Sequence, residues 1–274
     1  MKPESLPRVS VLTVVRNGEL TLGKTIASVL AQDYPALEYR IIDGASTDGT
    51  LEIIRRHAER LAGWTSEPDQ GIADGFNKGI AQATGDYLMF LNADDHLAHP
   101  RAISELAAHA LAHGLPQVVY GDSDLYDPDT GDLMYRVVIN YDRARFLKGA
   151  TIPHPSMLMH RRYFERFGKF DPSYKIAMDF ELFLRGVPSV GAERAPVLVT
   201  NVEHGGISAR SRDLVVEETI RALKQHGHLS RAGEMAMRAR YAARGLARKG
   251  AETLGLYPML REMRQKKHPA SPKR

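Results

Sequence analysis

The alternation of short apolar segments with amphipathic ones constrains the fold most strongly. Residues 9–15 are rich in β-branched side chains and predict a buried strand. Apolar residues at helical spacing follow over 22–30, a second short strand is predicted over 39–42, and a second helix over 51–61. Strand, helix, strand and helix in this order predict parallel βαβ units with right-handed crossovers. We therefore expect an α/β fold whose mostly parallel sheet is flanked by helices.

Polar residues stand where two of the predicted strands end. The apolar run 87–91 leads directly into Asn92, Asp94 and Asp95, and Asp43 follows the strand predicted before it. The carboxyl ends of strands in an open α/β sheet border the crevice where ligands bind. Adjacent carboxylates repel each other and are usually paired with a cation, and their oxygen ligands suit Mg²⁺ or Mn²⁺. The alternative is a solvated loop before the next helix.

Several kinds of chemistry are excluded by residues that the sequence lacks. It contains no cysteine, which excludes disulfides and thiolate metal sites. No G-x-G-x-x-G follows the first predicted strand and no G-x-x-x-x-G-K-S/T occurs, which argues against dinucleotide and P-loop chemistry. No stretch of about 18 apolar residues is present, and residues 1–5 carry no apolar core of a signal peptide. We therefore expect a cytoplasmic protein.

The charge of the chain is divided unevenly. Residues 1–220 carry 23 Lys and Arg against 30 Asp and Glu, a net charge of −7, whereas residues 221–274 carry 14 against 3, a net charge of +11. In the basic region cations alternate with apolar residues, a pattern that suits an anionic membrane surface. The residues concerned are Arg238, Arg240, Arg244, Arg248 and Lys249, followed by Leu254, Leu256, Tyr257 and Leu260. A solvated helix is the alternative, and nucleic-acid binding is disfavoured because no aromatic platform accompanies the cations.

For two further polar clusters the sequence predicts no metal site. His109 and His113 are four residues apart on a predicted helix over 101–113, but no acidic third ligand accompanies them, so we expect surface histidines. The aspartates between the strands predicted over 118–120 and 133–139 lack the Gly and Glu that a calcium loop requires, so we expect a turn. These aspartates are Asp122, Asp124, Asp127, Asp129 and Asp132.

Five ordered segments carry a resemblance to a known family. They are SVLTVVRN at 10–17, SVLAQDYP at 28–35, IDGASTDGT at 42–50, DQGIADGFNKG at 69–79 and FLNADD at 90–95. The pattern resembles the family 2 glycosyltransferases, in particular the bacterial branch that builds exopolysaccharide and O-antigen repeat units, including the colanic-acid type. The resemblance implies a GT-A fold with a Rossmann-like sheet, an inverting mechanism and a nucleotide-sugar donor.

The resemblance also implies a division of the chain and a set of donor residues. A GT-A domain is expected over 1–210, with a nucleotide-binding half over 1–100 and an acceptor-binding half over 101–210, followed by a basic helical extension over 211–274. Asp43 would contact the base or ribose, and Asp94 would ligate the Mn²⁺ or Mg²⁺ that bridges the donor diphosphate. The residues implied to bind the nucleotide sugar are Val15, Asn17, Asp43, Asp74, Asn77, Lys78, Asn92, Ala93, Asp94, Gly205 and Gly206.

Further residues are implied for the metal and for the acceptor. Asn92 and His204 join Asp94 as metal ligands, whereas Asp95 and His154 line the acceptor side. The paired glycines that follow His204 make a loop that we expect to close over the donor. A solvated loop position for His204 and a packing role for His154 are equal alternatives.

Asp179 is the candidate general base. It lies in the segment 176–185, at or near the start of a helix predicted from the apolar face of Phe180, Phe183 and Leu184, where a plain N-cap is the alternative role. In an inverting transfer the acceptor hydroxyl attacks the anomeric carbon and loses its proton as an oxocarbenium-like state forms. A carboxylate facing that hydroxyl is the simplest base, and the family usually carries an Asp at this place.

Two positions depart from the family pattern. Asn92 stands where the family commonly has the first Asp of Asp-x-Asp, and this change should weaken metal affinity although an amide oxygen can still coordinate. Gly44 stands where a second Asp is frequent. Both departures remove a carboxylate from the implied donor site.

The sequence therefore predicts an inverting, metal-dependent glycosyltransferase. It would move a sugar from a nucleotide-diphosphate sugar, a UDP-sugar first among the candidates, to a glycan or lipid-linked acceptor in cell-surface polysaccharide synthesis. We expect it in the cytoplasm, peripheral on the inner face of the cell membrane, without a nucleic-acid partner. The alternatives are a nucleotidyltransferase on a similar sheet and a non-catalytic nucleotide-sugar or glycan-binding protein, which the missing first Asp would suit.

Overall fold

The computed structural model describes residues 6–253, which form one sheet with helices on both faces. The strands are β1 (Val9–Val15), β2 (Leu37–Asp43), β3 (Gly63–Ser66), β4 (Tyr87–Phe90), β5 (His96–Leu97), β6 (Val118–Tyr126), β7 (Leu133–Val137), β8 (Met157–His160) and β9 (Glu193–Glu203). The helices are α1 (Leu22–Leu30), α2 (Thr50–His57), α3 (Ile72–Gln82), α4 (Ala102–Ala112), α5 (Arg143–Phe146), α6 (Arg161–Phe167), α7 (Met178–Val190), α8 (Ile207–Arg210), α9 (Arg212–Gln225) and α10 (Arg231–Thr253).

The sheet has the strand order β3-β2-β1-β4-β8-β6-β9-β5, with β7 paired to β6. β1 pairs in parallel with β2 and β4, β2 with β3, and β6 with β9, whereas β8 is antiparallel to both β4 and β6. Within the described residues β1 to β4, β6 and β9 therefore point the same way, and β5, β7 and β8 point the opposite way. The mostly parallel sheet expected from the sequence is confirmed.

This topology brings distant loops to one edge of the sheet. The loops that follow β1, β2, β3, β4, β6 and β9 all leave from the carboxyl ends of co-directional strands. Open α/β sheets bind their ligands at that edge. We call it the carboxyl edge, and the opposite side, where these strands begin, the amino edge.

Side chains alternate along β1 between two apolar cores, one on each face of the sheet. Leu12 belongs to a cluster with Phe76 of α3 and the helices that come later in the chain, whereas Val11 belongs to a cluster with Ile26 of α1. The period of two follows from the pleat, which directs successive side chains to opposite faces. Burial on both faces explains why the strand is an almost continuous apolar run.

The aspartate-rich segment after Tyr120 is only partly the turn that the sequence predicts. Asp122 and Asp124 lie in β6, and their buried carboxylates bind Arg194 and Arg136, with N–O distances of 2.7 Å in both pairs. The turn itself is confined to residues 127–132. The prediction was wrong for the first two aspartates because their cationic partners stand on other strands.

The helices after residue 210 pack on the rest of the chain. Ile220, Ala222 and Leu223 of α9 are buried in the same core cluster as Phe183 of α7. The boundary at residue 210 stays a prediction, but α9 is a structural neighbour of α7. In the part of the chain that the structure describes, no helix is long and apolar enough to cross a membrane.

The basic extension is described only in part. Arg238 of α10 is paired with Glu217 and Glu234, so this cation is engaged within the protein. Residues 254–274, which include four apolar residues of the predicted membrane-binding stretch, lie outside the described residues: Leu254, Leu256, Tyr257 and Leu260.

Candidate active site

The loops after β1 and β2 are joined by hydrogen bonds. Asn17 has a φ of 55°, a left-handed conformation that asparagine tolerates better than most residues. Its backbone N–H donates to Ser46 Oγ at 2.7 Å, and its side-chain oxygen accepts from the N–H of Thr47 at 2.9 Å. Val15 is buried and pairs in register with Asp43. These bonds fix the end of β1 against the loop that follows Asp43.

The carboxylate of Asp43 is fully buried at the end of β2. It accepts hydrogen bonds from the backbone N–H of Ser46 at 3.0 Å, from the Ser46 hydroxyl, and from the Ser66 hydroxyl at 2.6 Å. Three hydrogen-bond donors of the protein therefore satisfy most of the accepting capacity of this carboxylate. Its position at the carboxyl edge agrees with the predicted crevice, whereas its contact with a base or ribose stays a prediction.

A second carboxylate lies directly over Gly44. A Cβ atom added at Gly44 would overlap the side chain of Asp69, which comes from the loop after β3. Asp69 also accepts a hydrogen bond from the backbone N–H of Gly71 at 3.0 Å. Asp69 thus occupies the space of the side chain that Gly44 lacks. Sequence reasoning missed Asp69, although an acidic residue after the neighbouring strand, combined with the missing carboxylate at Gly44, was the available signal.

The loop that carries Asp69 is held by α3. Lys78 donates to the carbonyl of Pro68 at 2.9 Å and pairs with Glu67 at 2.9 Å, and the hydrogen bond that it donates to Glu67 raises the pKa of the Lys78 ammonium. Asp74 accepts from the backbone N–H of Gln70 at 3.1 Å. Two of the three predicted donor-binding residues on this helix, Asp74 and Lys78, therefore contact the loop beside Gly44.

Asn77, also on α3, has a different set of partners. Its amide nitrogen donates to the carbonyl of Phe170 at 2.9 Å, and its oxygen accepts from the N–H of Phe170 at 3.0 Å. The side chain links two segments that are 93 residues apart in the sequence. As it stands, Asn77 joins α3 to the segment before α7, and its predicted contact with a donor is untested.

The polar cluster after β4 is organised around a buried carboxylate. Asp95 is only 3% exposed and accepts from the amide nitrogen of Asn92 at 2.9 Å. Burial, and then the negative charge of Asp94, raise the pKa of Asp95 well above its usual range, although the Asn92 hydrogen bond opposes them. The Thr25 hydroxyl donates to the backbone carbonyls of Ala93 and Asp95, which fixes the loop to α1.

The oxygen ligands that Asp94 and Asn92 offer fit a hard divalent cation. Asp94 is only half-buried and offers carboxylate oxygens, and the orientation of the Asn92 amide leaves its oxygen as a neutral ligand. A cation next to Asp94 would also offset the mutual repulsion between Asp94 and Asp95, which after burial is the second cause of the raised pKa of Asp95. Ligands of this type suit Mg²⁺ or Mn²⁺.

The loop after β9 lies beside Asp94. A Cβ atom added at Gly206 would stand 3.7 Å from Oδ2 of Asp94. Gly205 has a φ of 111°, which a residue with a side chain rarely adopts. The backbone N–H of His204 donates to the carbonyl of Tyr126 at 2.7 Å, and the His204 side chain is half-buried. The two glycines and the predicted metal ligand Asp94 are thus neighbours in space.

Asp179 is the second residue of α7, and the N-cap of this helix is Ala177. The plain N-cap role that the sequence left open therefore does not apply. Its Oδ1 accepts from the backbone N–H of Phe180 at 2.7 Å, and burial raises the pKa of the Asp179 carboxyl to about 6. A carboxyl group with this pKa is ionised at neutral pH and is a stronger base than an ordinary aspartate.

The start of α7 is directed towards the carboxyl edge. Two residues connect the end of α7 to the start of β9, so the carboxyl end of the helix lies at the amino edge. The 13 residues of α7 are about 20 Å long, which brings its first residues towards the opposite side. Just before the helix, Lys175 donates to the carbonyl of Gln70 at 3.5 Å, in the loop that carries Asp69. These contacts link the segment before Asp179 to the loops at the carboxyl edge.

Glu218 of α9 fixes that same segment. Its buried carboxylate accepts from the backbone N–H groups of Lys175, Ile176 and Ala177 at 2.7, 2.9 and 2.8 Å. The N–H of Ala177, the N-cap, is among the donors that a helix start leaves without an intrahelical partner, and a carboxylate there also suits the helix dipole. Sequence reasoning missed Glu218, since nothing in the sequence relates a glutamate of the extension to residues about 40 positions earlier.

His154 lies in an aromatic cluster. Its ring stacks on Phe90 with centroids 5.3 Å apart, and it meets Phe76, Phe170 and Phe183 edge-on. Burial lowers the pKa of the imidazole to about 4, and its buried Nε2 has no hydrogen-bond partner among the described residues. These contacts favour the packing role that the sequence left open, and a contact with an acceptor stays a prediction.

The family model described as glycosyl transferase family 2 matches residues 10–168, more than half of the chain. The chain belongs to glycosyltransferase family 2. An uncharacterized glycosyltransferase of Mycobacterium tuberculosis is 32% identical over 183 residues, which cover 66% of this chain and 69% of the relative. The PGL/p-HBAD biosynthesis glycosyltransferase of the same species is 28% identical over 201 residues, covering 72% and 74%. This family 2 chain is an enzyme that transfers sugar.

Solved structures agree on the fold of this glycosyltransferase. S. aureus TarS in complex with UDP-GlcNAc matches with a TM-score of 0.65 and 18% identity, over 90% of this chain and 75% of that one. The mannosyltransferase PcManGT from Pyrobaculum calidifontis, in complex with GDP-Man and Mn²⁺, matches with a TM-score of 0.63 and 20% identity, over 96% and 84%. At these identities the likeness concerns the fold, and it confirms the GT-A architecture expected from the sequence.

Proposed function

We propose that this family 2 glycosyltransferase transfers one sugar, with inversion, from a nucleotide-diphosphate sugar to a hydroxyl of a glycan or lipid-linked acceptor. The observation that carries the proposal is the clustering of carboxylates around one edge of the sheet. Asp43 and Asp69 stand on one side, Asp94 faces Gly206 on another, and Asp179 starts the helix whose preceding segment contacts the Asp69 loop.

The nucleoside of the donor is assigned to the loops after β1, β2 and β3. We propose that Asp69 supplies the carboxylate that the family often carries at Gly44, since it fills the same space. A carboxylate there accepts hydrogen bonds from a ribose hydroxyl or from the ring N–H that uracil and guanine both carry. A UDP-sugar remains the first candidate, and a GDP-sugar is the natural comparison. Asn17 and the buried Asp43 hold the loops that form this pocket.

The donor diphosphate is assigned to the region between Asp94 and the glycine loop. Asp94 and the oxygen of Asn92 would hold Mn²⁺ or Mg²⁺, with His204 as a further candidate ligand. When bound, such an ion stabilises negative charge on the leaving diphosphate. Gly205 and Gly206 have no side chains, so their backbone N–H groups can approach phosphate oxygens closely.

Asp179 is proposed to take the proton of the acceptor hydroxyl as that oxygen attacks the anomeric carbon. The new carbon–oxygen bond forms as the bond to the nucleotide diphosphate breaks, which inverts the anomeric centre. The acceptor would approach between α7 and the cluster after β4, where Asp95 and His154 are the predicted neighbours.

Exposed Met235 and Leu246 on α10, together with the basic residues beyond them, support a membrane surface as the site of a lipid-linked acceptor.

The proposal is tested by incubating the full chain with a panel of nucleotide sugars and Mn²⁺ and measuring released nucleoside diphosphate. We expect release with one donor class, and we expect Asp179→Asn to lower turnover at least 100-fold while donor affinity changes little. Asp94→Asn should instead weaken donor binding in the presence of Mn²⁺. A chain that binds a donor tightly but never releases nucleotide, with any acceptor tested, would support the non-catalytic alternative.

A further inference from the structure

Three potential metal ligands meet at the amino edge, on the side of the sheet opposite to the candidate active site. They are His109 and His113, in and just after the last turn of α4, and Glu193, the first residue of β9. One ligand atom of each lies within 4.8 Å of the others. The sequence analysis expects surface histidines without an acidic third ligand. His113 is exposed, but Glu193 supplies an acidic partner from 84 residues further along the chain, so that part of the expectation was wrong.

The distances within this group suit a tetrahedral ion. Nε2 of His109 is 3.3 Å from Oε1 of Glu193. Two ligands that bind one zinc ion at about 2.0 to 2.1 Å in tetrahedral geometry are themselves separated by about 3.3 Å. The rings of His109 and His113 have centroids 3.9 Å apart and an interplanar angle of 20°. The spacing of four residues puts both rings on one face of the helix.

The hydrogen bond of His113 selects the ring nitrogen that is available to a metal. Its Nδ1 lies 2.8 Å from the carbonyl oxygen of His109, an acceptor, so Nδ1 carries the proton. Nε2 of the neutral ring is then left with its lone pair. Metal-ligating histidines characteristically donate their other N–H to a carbonyl or carboxylate in this way, which fixes the tautomer and the orientation of the ring.

An ordinary ion pair explains the contact between His109 and Glu193 but not the position of His113. A protonated His109 would satisfy Glu193, but the stacked ring of His113 gains nothing from that pair and loses from any second positive charge. A divalent ion satisfies both imidazoles and the carboxylate at once. Among residues 6–253, this is the one group of three His, Asp or Glu side chains whose ligand atoms lie so close together.

We propose that His109, His113 and Glu193 bind a borderline transition-metal ion of the Zn²⁺ class, with water completing the coordination. Two imidazoles and one carboxylate suit Zn²⁺ better than the Mg²⁺ or Mn²⁺ expected at the oxygen ligands of the donor site. The ion connects the end of α4 to the start of β9. Because it binds the folded chain, it stabilises the packing of α4 on the strand that leads to His204 and the glycine loop.

The test uses the full chain, stripped of metal with a chelator and then titrated with Co²⁺ and Zn²⁺. We expect one equivalent of Co²⁺ to give the intense visible absorption of a tetrahedral site, and Zn²⁺ to displace it. Zn²⁺ at about 100 times its Kd should raise the Tm by several degrees. The same experiment on Asp94→Asn, which lacks a proposed ligand of the donor site, should give an unchanged tetrahedral spectrum.

Single-ligand variants provide the comparison. Glu193→Gln and His113→Ala should each weaken Co²⁺ and Zn²⁺ binding at least tenfold. His57→Ala is a matched control, because Nδ1 of His57 also contacts the carbonyl four residues earlier, at 2.9 Å, but His57 belongs to no such group among the described residues. It should bind the metals as the wild type does. Wild-type affinity in both ligand variants, or a Kd above 1 mM in the wild type, would overturn the proposal.

Discussion

Replacing Asp179 with Asn is expected to change activity and stability in opposite directions. Burial raises the pKa of this carboxyl from 3.8 to about 6, so its ionised form is disfavoured in the folded chain. A difference of about 2 pKa units, at about 1.4 kcal/mol per unit, makes the ionised carboxylate cost about 3 kcal/mol of stability at pH 8. The neutral amide of Asn does not carry this cost.

The sign of the pH dependence follows from proton binding. Between the unfolded pKa of 3.8 and the folded pKa of about 6, the folded wild type holds a proton that the unfolded chain has released. The contribution of Asp179 to wild-type stability therefore falls as pH rises through this window and levels off above it. The gain in unfolding free energy of Asp179→Asn over the wild type should grow by about 2 kcal/mol between pH 4.5 and pH 8.

Urea unfolding of both proteins at pH 4.5, 6 and 8 measures this difference. Asp129→Asn, at an exposed aspartate of the turn after β6, serves as a control and should show no comparable growth. In the wild type, turnover should fall about tenfold from pH 7 to pH 5 as Asp179 becomes protonated. A stability gap that stays constant with pH, or an Asn variant that keeps a tenth of wild-type turnover, would refute the assignment of Asp179.

The remaining predictions concern the donor site and the support of α7. Asp69→Asn should raise the KM for the donor about tenfold with little change in kcat, as expected for one lost charged hydrogen bond, measured by steady-state kinetics. Asp69→Ala should be partly rescued by adding Gly44→Asp, whereas Gly44→Asp alone should impair the enzyme because the two side chains overlap. Glu218→Gln should lower kcat several-fold while the donor Kd from calorimetry is unchanged, and Glu218→Asp should recover part of the loss. Asp94→Asn should raise the Mn²⁺ concentration for half-maximal activity at least tenfold, measured by metal titration after chelation.

The sequence was sufficient wherever local pattern determines structure. The β-branched run ending at Val15 and the apolar run ending at Leu91 are strands because burial on both faces demands it, and their carboxyl ends share one edge because the units are βαβ. Short strands escaped prediction for the converse reason. β3, β5 and β8 have four, two and four residues and contain at most three consecutive apolar residues, whereas the equally short β4 lies in the five-residue apolar run 87–91. Pairing with neighbouring strands therefore creates them.

The missed residues share a physical property. Asp69, Glu193 and Glu218 each act on a partner that is far away in the sequence, and their own neighbours in the chain give no sign of it. Charged side chains on predicted helices or loops are usually solvated, so the sequence favours that interpretation for all three. The packing of α9 on α7 gives Glu218 its specific partners, and that of β9 beside α4 gives Glu193 its own. The pairing of β3 with β2 brings Asp69 next to Gly44.

We propose that the two departures from the family pattern leave the chemistry of the donor site largely intact. Gly44 removes a carboxylate from the loop after β2, but Asp69 fills the vacated space with the same functional group. Asn92 removes another, yet its amide nitrogen binds Asp95, so that the amide oxygen and Asp94 remain for a cation. Burial, and then the charge of Asp94, raise the pKa of Asp95 well above its usual range, so this carboxyl lies in an unfavourable place for a negative charge. A cation bound at Asp94 would offset the repulsion between the two carboxylates, which supports the metal-dependent transfer that we propose.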